Sequence, residues 1–210
     1  VPKKSISSVK MTPNLSESCL ELEYNVNAPE ECFGGDLLLE TVVTFKDQLI
    51  SKTITALTSA HQTVNIDMKT RFDRAYKNAV HTWSPRTPNL YDITFRLLEG
   101  CDVLDEVGSY AAMRGIRIDR SNILLNNRLL YQRLILDQGY WEDSHLTPPS
   151  EEALIEDIDK IKALGYNGLR KHQKTEDERF LYWCDVKGML VWCESPSAYQ
   201  FSDYAVTEFM

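Results

Sequence analysis

The sequence has no apolar run approaching the roughly 18 residues that span a bilayer; even Leu37-Leu38-Leu39 is halted by Glu40. Positive charge is in the minority. Against 31 Asp and Glu stand 23 Lys and Arg, a net of −8, and such a surface repels phosphate backbones and anionic lipid. No nucleic acid and no membrane is therefore expected as a partner, while a neutral ligand such as a sugar remains open. Cysteine is sparse and unpatterned: Cys19, Cys32, Cys101, Cys184 and Cys193 show no C-x-x-C spacing, which argues against a zinc ribbon or a thioredoxin-type pair. Cys19, Cys184 and Cys193 lie in apolar segments, where a free thiol behaves as a small core residue, and a reducing, cytoplasmic setting is expected. No apolar stretch follows Val1-Pro2-Lys3-Lys4 and no initiator Met stands before it, so no signal peptide is visible and the chain reads as an excised piece. A phosphate-cradling Gly loop, a His/Cys metal cluster and a Ser–His–Asp order are also missing, so neither a cofactor nor a metal is expected.

What is present is an ordinary globular composition, 43% hydrophobic and 26% charged over 210 residues, enough for one large or two smaller domains. The chain changes character near residue 119. Before that point Leu20, Leu22, Tyr24 and Val26 alternate with polar neighbours, as do Val64, Ile66 and Met68, and segments 36–45, 49–56 and 91–98 read the same way. Breaks fall at Ala28-Pro29, Gly34-Gly35, Ser84-Pro85 and Gly100. About seven short strands in this length predict an immunoglobulin-like β-sandwich over residues 1–119, with Trp83, Tyr91 and Tyr110 in its core or at an interface.

After residue 119 the pattern becomes a hairpin followed by strand–helix alternation. Ile123-Leu124-Leu125, Asn126-Asn127 and Leu129-Leu130 predict strand–turn–strand, because Asn tolerates the positive φ of a two-residue turn. Leu134–Leu136 is a further apolar strand. Ser150 is placed to cap a helix whose apolar stripe is Leu154, Ile158, Ile161 and Leu164, closed by Gly165. A strand over 167–170 follows. Thr175 and Glu178 form a capping-box pattern for a second helix carrying Phe180, Leu181 and Cys184 and stopped by Gly188, and 189–193 is the next strand. Helix–Gly–strand twice over implies parallel strands with helical crossovers, an α/β arrangement across residues 120–210.

Several of these segments resemble glycoside hydrolase family 2. Trp83-Ser84-Pro85-Arg86-Thr87-Pro88-Asn89-Leu90-Tyr91 resembles the approach to the last strands of that family's immunoglobulin-like domain. Ile123–Leu130 resembles its hairpin at the barrel entrance, with Asn127 and Arg128 in place of the usual Gly and Lys. Leu136-Asp137-Gln138-Gly139-Tyr140-Trp141 and Gly168-Leu169-Arg170-Lys171-His172-Gln173 resemble the ends of barrel strands one and two, and Val191-Trp192-Cys193-Glu194 resembles strand three. The resemblance implies a β-galactosidase-like or β-glucuronidase-like retaining enzyme with its site at the carboxyl ends of a (β/α)8 barrel. A whole barrel takes about 250 residues. The 91 residues after position 119 hold three βα units at roughly 30 residues each, so an interior fragment is expected, truncated within the barrel. The family's acid/base is a Glu preceded by Asn, and no Asn-Glu dipeptide occurs in the sequence.

A retaining glycosidase needs two carboxyl groups about 5–5.5 Å apart. Asp137 and Glu194 are the strand-end carboxylates that can be placed. On neighbouring strands one, two and three they stand near 10 Å apart, with Arg170 between them keeping both ionised. No catalytic residue is therefore assigned, and the chain alone is expected to be inactive. Asp137, Gln138, Trp141, Arg170, His172 and Glu194 are candidates for binding a carbohydrate substrate, each with a plainer alternative. Arg170 suits a sugar hydroxyl or a structural ion pair with Asp137 or Glu194; His172 suits a hydroxyl or solvent. Trp141 offers a stacking face or a packed rim residue, and Gln138 both donates and accepts. Lys171, Lys174 and 176–178 read as a solvated face. The unpaired edge of the last strand predicts self-association through the half-barrel. Two other classes stand beside this reading: a stand-alone carbohydrate- or protein-binding sandwich, and a small open α/β fold.

Overall fold

Alternating side chains give the first half of the chain its form. A computed structural model describes residues 3–70 and 79–209, and the chain divides into two units, Val1–Leu130 and Tyr131–Met210. In the first, β1 (Ser5–Asn14), β2 (Cys19–Asn27), β3 (Leu37–Phe45), β4 (Gln48–Ala56), β5 (His61–Asp67), β6 (Tyr91–Glu99) and β7 (Asp102–Ala111) make two antiparallel sheets, ordered β1-β2-β5 and β4-β3-β6-β7. Leu20, Leu22, Tyr24 and Val26 of β2 meet Leu37, Leu39 and Val43 of β3 and Ile93, Phe95 and Leu97 of β6 in one buried core, the packing expected when two sheets turn their apolar faces together. Two buried hydroxyls are satisfied there. Tyr24 Oη lies 2.7 Å from Thr41 Oγ1, and Tyr91 Oη accepts the His81 N–H at 2.8 Å.

Glu40 shows how a carboxylate survives in a leucine-rich strand. Alternation puts it on the face of β3 opposite the core residues Leu39 and Thr41, and there it pairs with Lys52 of β4 at 2.5 Å and Arg96 of β6 at 2.9 Å. Arg96 continues to Glu106 of β7 at 2.5 Å, a charge ladder across all four strands. Two features leave little trace in the sequence. The turn joining β3 and β4 uses Lys46 and Asp47, both with positive φ, in place of the expected Gly or Asn. The strands β1 and β7 lie at sheet edges, where one side of the ladder is open and the apolar alternation is weak.

The hairpin residues fold as predicted but do not open the second unit. β8 (Ile116–Asp119), β9 (Asn122–Leu125) and β10 (Arg128–Leu129) form a meander, and pairing of β9 back to β8 carries the division past 119 to Leu130. Asn126 and Asn127 make the turn at φ 52° and 61°. Asn126 also binds outward: its side chain accepts from Gly115 N at 3.0 Å and donates to the Trp83 carbonyl at 2.9 Å, beside a fully buried Trp83 ring covered by the Arg114 guanidinium.

The second unit is a parallel three-stranded sheet with helical crossovers: β11 (Leu134–Asp137), α1 (Glu151–Ala163), β12 (Gly168–Lys171), α2 (Glu178–Lys187), β13 (Leu190–Cys193) and a short α3 (Asp203–Phe209), in the order β11-β12-β13. Ser150 caps α1 by accepting from Ala153 N, and Leu154, Ile158 and Ile161 pack with Leu169, Phe180, Cys184 and Met189. Leu164 departs from the predicted stripe. It ends the helix and is 72% exposed, because the chain turns away there through Gly165 at φ 90°. The cap of α2 is also displaced. Asp177, not Thr175, accepts the Arg179 N–H at 2.8 Å, since Glu176 is drawn inward by Lys171. Cys184 is buried as expected, whereas Cys193, at the end of β13, is exposed and Cys19 half-buried. No helix among the described residues is long and apolar enough to cross a membrane.

Candidate functional site

Strand β12 organises both faces of its sheet. Side chains of a strand alternate, so Leu169 and Lys171 face the helices while Gly168 and Arg170 face the other side. Gly168 lies in the register row of Leu134 and Leu190; a Cβ there would meet Leu134 Cδ2 at 2.5 Å and Leu190 Cβ at 2.8 Å, so only Gly fits. Leu136, Arg170 and Trp192 form the next row on the open face, all exposed.

At the carboxyl ends of the three strands the open face is polar. Arg170 forms an ion pair with Glu194 through Nε, and Glu194 Oε2 accepts the Gln173 N–H at 3.2 Å. The bond from Arg170, then that from Gln173, holds the Glu194 carboxyl below the usual carboxylate range. Gln138 Nε2 lies 3.0 Å from His172 Nδ1, joining the loop after β11 to the loop after β12. Gln173 Nε2 reaches towards Ser197 Oγ at 3.5 Å.

Four of the six predicted residues, Gln138, Arg170, His172 and Glu194, therefore meet at these strand ends in two linked pairs. Two do not join them. Asp137 does not look across Arg170 at Glu194: it shares the helix-facing side of the sheet with Lys171, whose ammonium lies 2.5 Å from its Oδ2, while its Oδ1 accepts the Gly139 N–H at 2.7 Å. The assumption that both strand-end carboxylates share one face fails because the pleat separates them. Trp141 is half-buried against the helix–sheet core and bridges to His145 through paired backbone bonds, which is the packed rim reading.

Lys171 and Glu176 are the larger correction, since neither lies on a solvated face. Lys171 is 2% exposed; its ammonium donates to Glu176 at 2.7 Å and stands 4.1 Å above the Phe180 ring centroid. Burial acts to lower its pKa, yet the bonds to Asp137 and Glu176 outweigh that and hold it above the ordinary lysine value. Burial likewise acts to raise Glu176, and Lys171 together with the Asp177 N–H overcomes it, leaving a lowered pKa. Asp157 on α1 is the unbalanced member. Burial first, then the Asp137 charge, push its pKa up. The signal was available: counting two residues on from the helix-facing Leu169 reaches Lys171, and two on from Ile135 reaches Asp137.

Comparison with known proteins bears on the family and the fold. The model of glycosyl hydrolases family 2 matches residues 4–114. A Formosa agariphila protein provisionally named a beta-glucuronidase is 27% identical over 201 residues, covering 93% of this chain and 23% of its own length. A beta-galactosidase of Alteromonas mediterranea is 21% identical over 201 residues, covering 90% and 18%. The solved structure of a glycosyl hydrolase family 2 member from Bacteroides cellulosilyticus superposes with a TM-score of 0.76 at 21% identity, over 92% of this chain and 27% of that one. The beta-glucuronidase of Ruminococcus gnavus gives 0.72 at 20% identity, over 94% and 30%. The structural likeness speaks for the fold, and the chain spans less than a quarter of the length of these two curated relatives. With the family model laid over more than half of its residues, this chain belongs to glycosyl hydrolases family 2.

Proposed function

We propose that this chain is the immunoglobulin-like sandwich and the first three βα units of a (β/α)8 barrel in a β-glycosidase that hydrolyses terminal β-glycosidic bonds with retention. The observation that supports this most is the polar cluster at the carboxyl ends of β11, β12 and β13, where barrel enzymes of this architecture carry their sites. Gln138, His172, Arg170, Glu194 and Gln173 present donors and acceptors suited to sugar hydroxyls. Trp192, in the same row as Arg170 and exposed, adds an aromatic face of the kind on which the C–H side of a pyranose packs.

The same geometry argues that the chain does not turn over substrate alone. Retention takes a nucleophile and a proton donor on one face, about 5–5.5 Å apart. Among the strand-end carboxylates named here only Glu194 is on the open face. Bonded to Arg170 and held below the usual carboxylate range, it is ionised at neutral pH and has no proton to give. Asp137 lies behind the sheet in an ion pair. The catalytic pair would come from further strands of a longer protein, with this chain supplying one wall of the sugar site.

Among the described residues β11 and β13 are the outer strands of their sheet, and such edges are templates for pairing, so the isolated chain associates with itself through this sheet. Five free cysteines suit a reducing, cytoplasmic setting. The test is incubation of the chain with 4-nitrophenyl β-D-galactoside and β-D-glucuronide. No release of nitrophenol is expected. Turnover abolished by Glu194→Gln would overturn the proposal, because it would place catalysis within this chain.

A further inference from the structure

Gln138 and His172 belong to different loops, yet each directly follows a member of the buried charge cluster: Asp137 ends β11 and Lys171 ends β12. The cluster is continuous. The Lys171 ammonium touches Asp137 Oδ2 at 2.5 Å and Glu176 Oε2 at 2.7 Å. The other oxygen of Asp137 accepts the Gly139 N–H at 2.7 Å. Glu176 Oε1 meets Lys174 Nζ at 3.1 Å, and Lys174 donates to the Leu146 carbonyl at 3.0 Å. Gly139 sits at φ 68°, and a Cβ there would lie 2.7 Å from Lys174 Nζ and 2.9 Å from Glu176 Oε2. One run of charges thus fixes two points of the first loop to the second loop and to the residue before the cap of α2.

Buried ion pairs of this kind contribute little net stability over apolar groups of the same shape, which directs attention to what they fix in space. We infer that Lys171 is a positioning residue: from behind the sheet its ammonium sets the register of the two loops so that Gln138 meets His172 on the open face. The inference rests on the sugar-binding reading of that face, since it assigns a purpose to the pair being positioned. Lys171 itself is buried under Phe180 on the helix-facing side of the sheet, away from the open face. An aliphatic side chain would fill the same space without tying Asp137 to Glu176.

The test is nuclear magnetic resonance and hydrogen exchange on the whole 210-residue chain. Lys171→Met strands two carboxylates in the interior and invites unfolding. The decisive variant is therefore Lys171→Met with Asp137→Asn and Glu176→Gln, which leaves neither of the two carboxylates charged without its ammonium and keeps each shape. In that variant the nuclear Overhauser contact between the Gln138 side-chain amide and the His172 ring is expected to disappear. Exchange of the Gly139 amide should rise at least roughly tenfold, as for a loop released into local opening, while the amides of Leu154 and Ile158 in α1 keep their protection. Arg170→Met, which breaks the open-face ion pair only, should preserve the Gln138–His172 contact. An unchanged contact and unchanged Gly139 protection in the neutral triple variant overturn the inference. Titration of the wild-type chain with D-galactose separates the two readings: a failure of sugar to shift any strand-end resonance counts against the sugar site and leaves the positioning result standing.

Discussion

Arg170 and Lys171 are consecutive residues whose cationic ends lie on opposite faces of one three-stranded sheet, Arg170 paired with Glu194 on the open face and Lys171 paired with Asp137 and Glu176 beneath the helices. Their surroundings differ as their positions do: Arg170 is 47% exposed on its side chain and Lys171 2%. Exposed ion pairs contribute about 0–1 kcal/mol, whereas removal of one partner from a buried pair costs about 3–5 kcal/mol. Arg170→Met is expected to lower unfolding free energy by less than about 1 kcal/mol and Lys171→Met by about 3–5 kcal/mol. Urea unfolding of the two variants checks the contrast, and equal losses would contradict the assignment of faces.

The pH dependence of the same cluster carries a sign. Glu176 and Glu194 are lowered in the folded state, so the stability they contribute is present above the ordinary carboxylate range and lost as pH falls through their folded values. Asp157 is raised. Its charge is disfavoured by folding, and the cost is present at neutral pH and relieved as pH falls through its folded value. Asp157→Asn should therefore raise the midpoint of thermal unfolding at pH 7, with a gain that shrinks towards pH 4. A destabilised variant at pH 7 would show that the Asp157 charge is needed.

Gly168 tests the close approach of three strands. Gly168→Ala places a methyl group within 2.8 Å of Leu190 Cβ and nearer still to Leu134 Cδ2. Overpacking of this kind costs about 1–3 kcal/mol, read as a shift in urea midpoint. A neutral result would mean that β11 and β13 move apart at no cost.

Asn126 separates turn conformation from side-chain bonding. Asn126→Gly keeps the positive φ but loses the bonds to Gly115 and Trp83, and a loss of about 1–3 kcal/mol is expected from the polar groups left unpaired. Asn126→Ala adds the strain of a left-handed residue, about 1–2 kcal/mol more. If both variants cost the same, the conformation contributes nothing separate from the bonds.

How far the sequence shows this molecule follows from where each signal originates. Strands such as β2 and β6, buried on one face along their whole length, show clean alternation, and so does the apolar stripe of α1. The edges β1 and β7 do not, because half of each ladder faces nothing that selects residue type. The polar residues at the strand ends were legible as a group, and Gln138, Arg170, His172 and Glu194 do meet. Asp137 faces the helices because the pleat carries it there two residues after Ile135, and Lys171 and Glu176 are buried because charge alone does not set exposure. Two carboxylates and a ring within a few ångströms make a buried ammonium tolerable, and Asp137, Glu176 and Phe180 lie 34, 5 and 9 positions away in the chain, beyond any local pattern. The shifted cap of α2 follows from the same cluster, since Glu176 is turned inward and Asp177 is next in line.

The central claim is that the strand ends of the second unit form a wall of a sugar site. It is tested most directly by mapping amide and side-chain resonance shifts of the chain as D-galactose or D-glucuronate is added. The account predicts shifts at Gln138, Arg170, His172, Gln173 and Glu194, weakened by Arg170→Met, with the sandwich core resonances of Leu22 and Phe95 unmoved. Shifts confined to the sandwich, or none at any strand end, would contradict it.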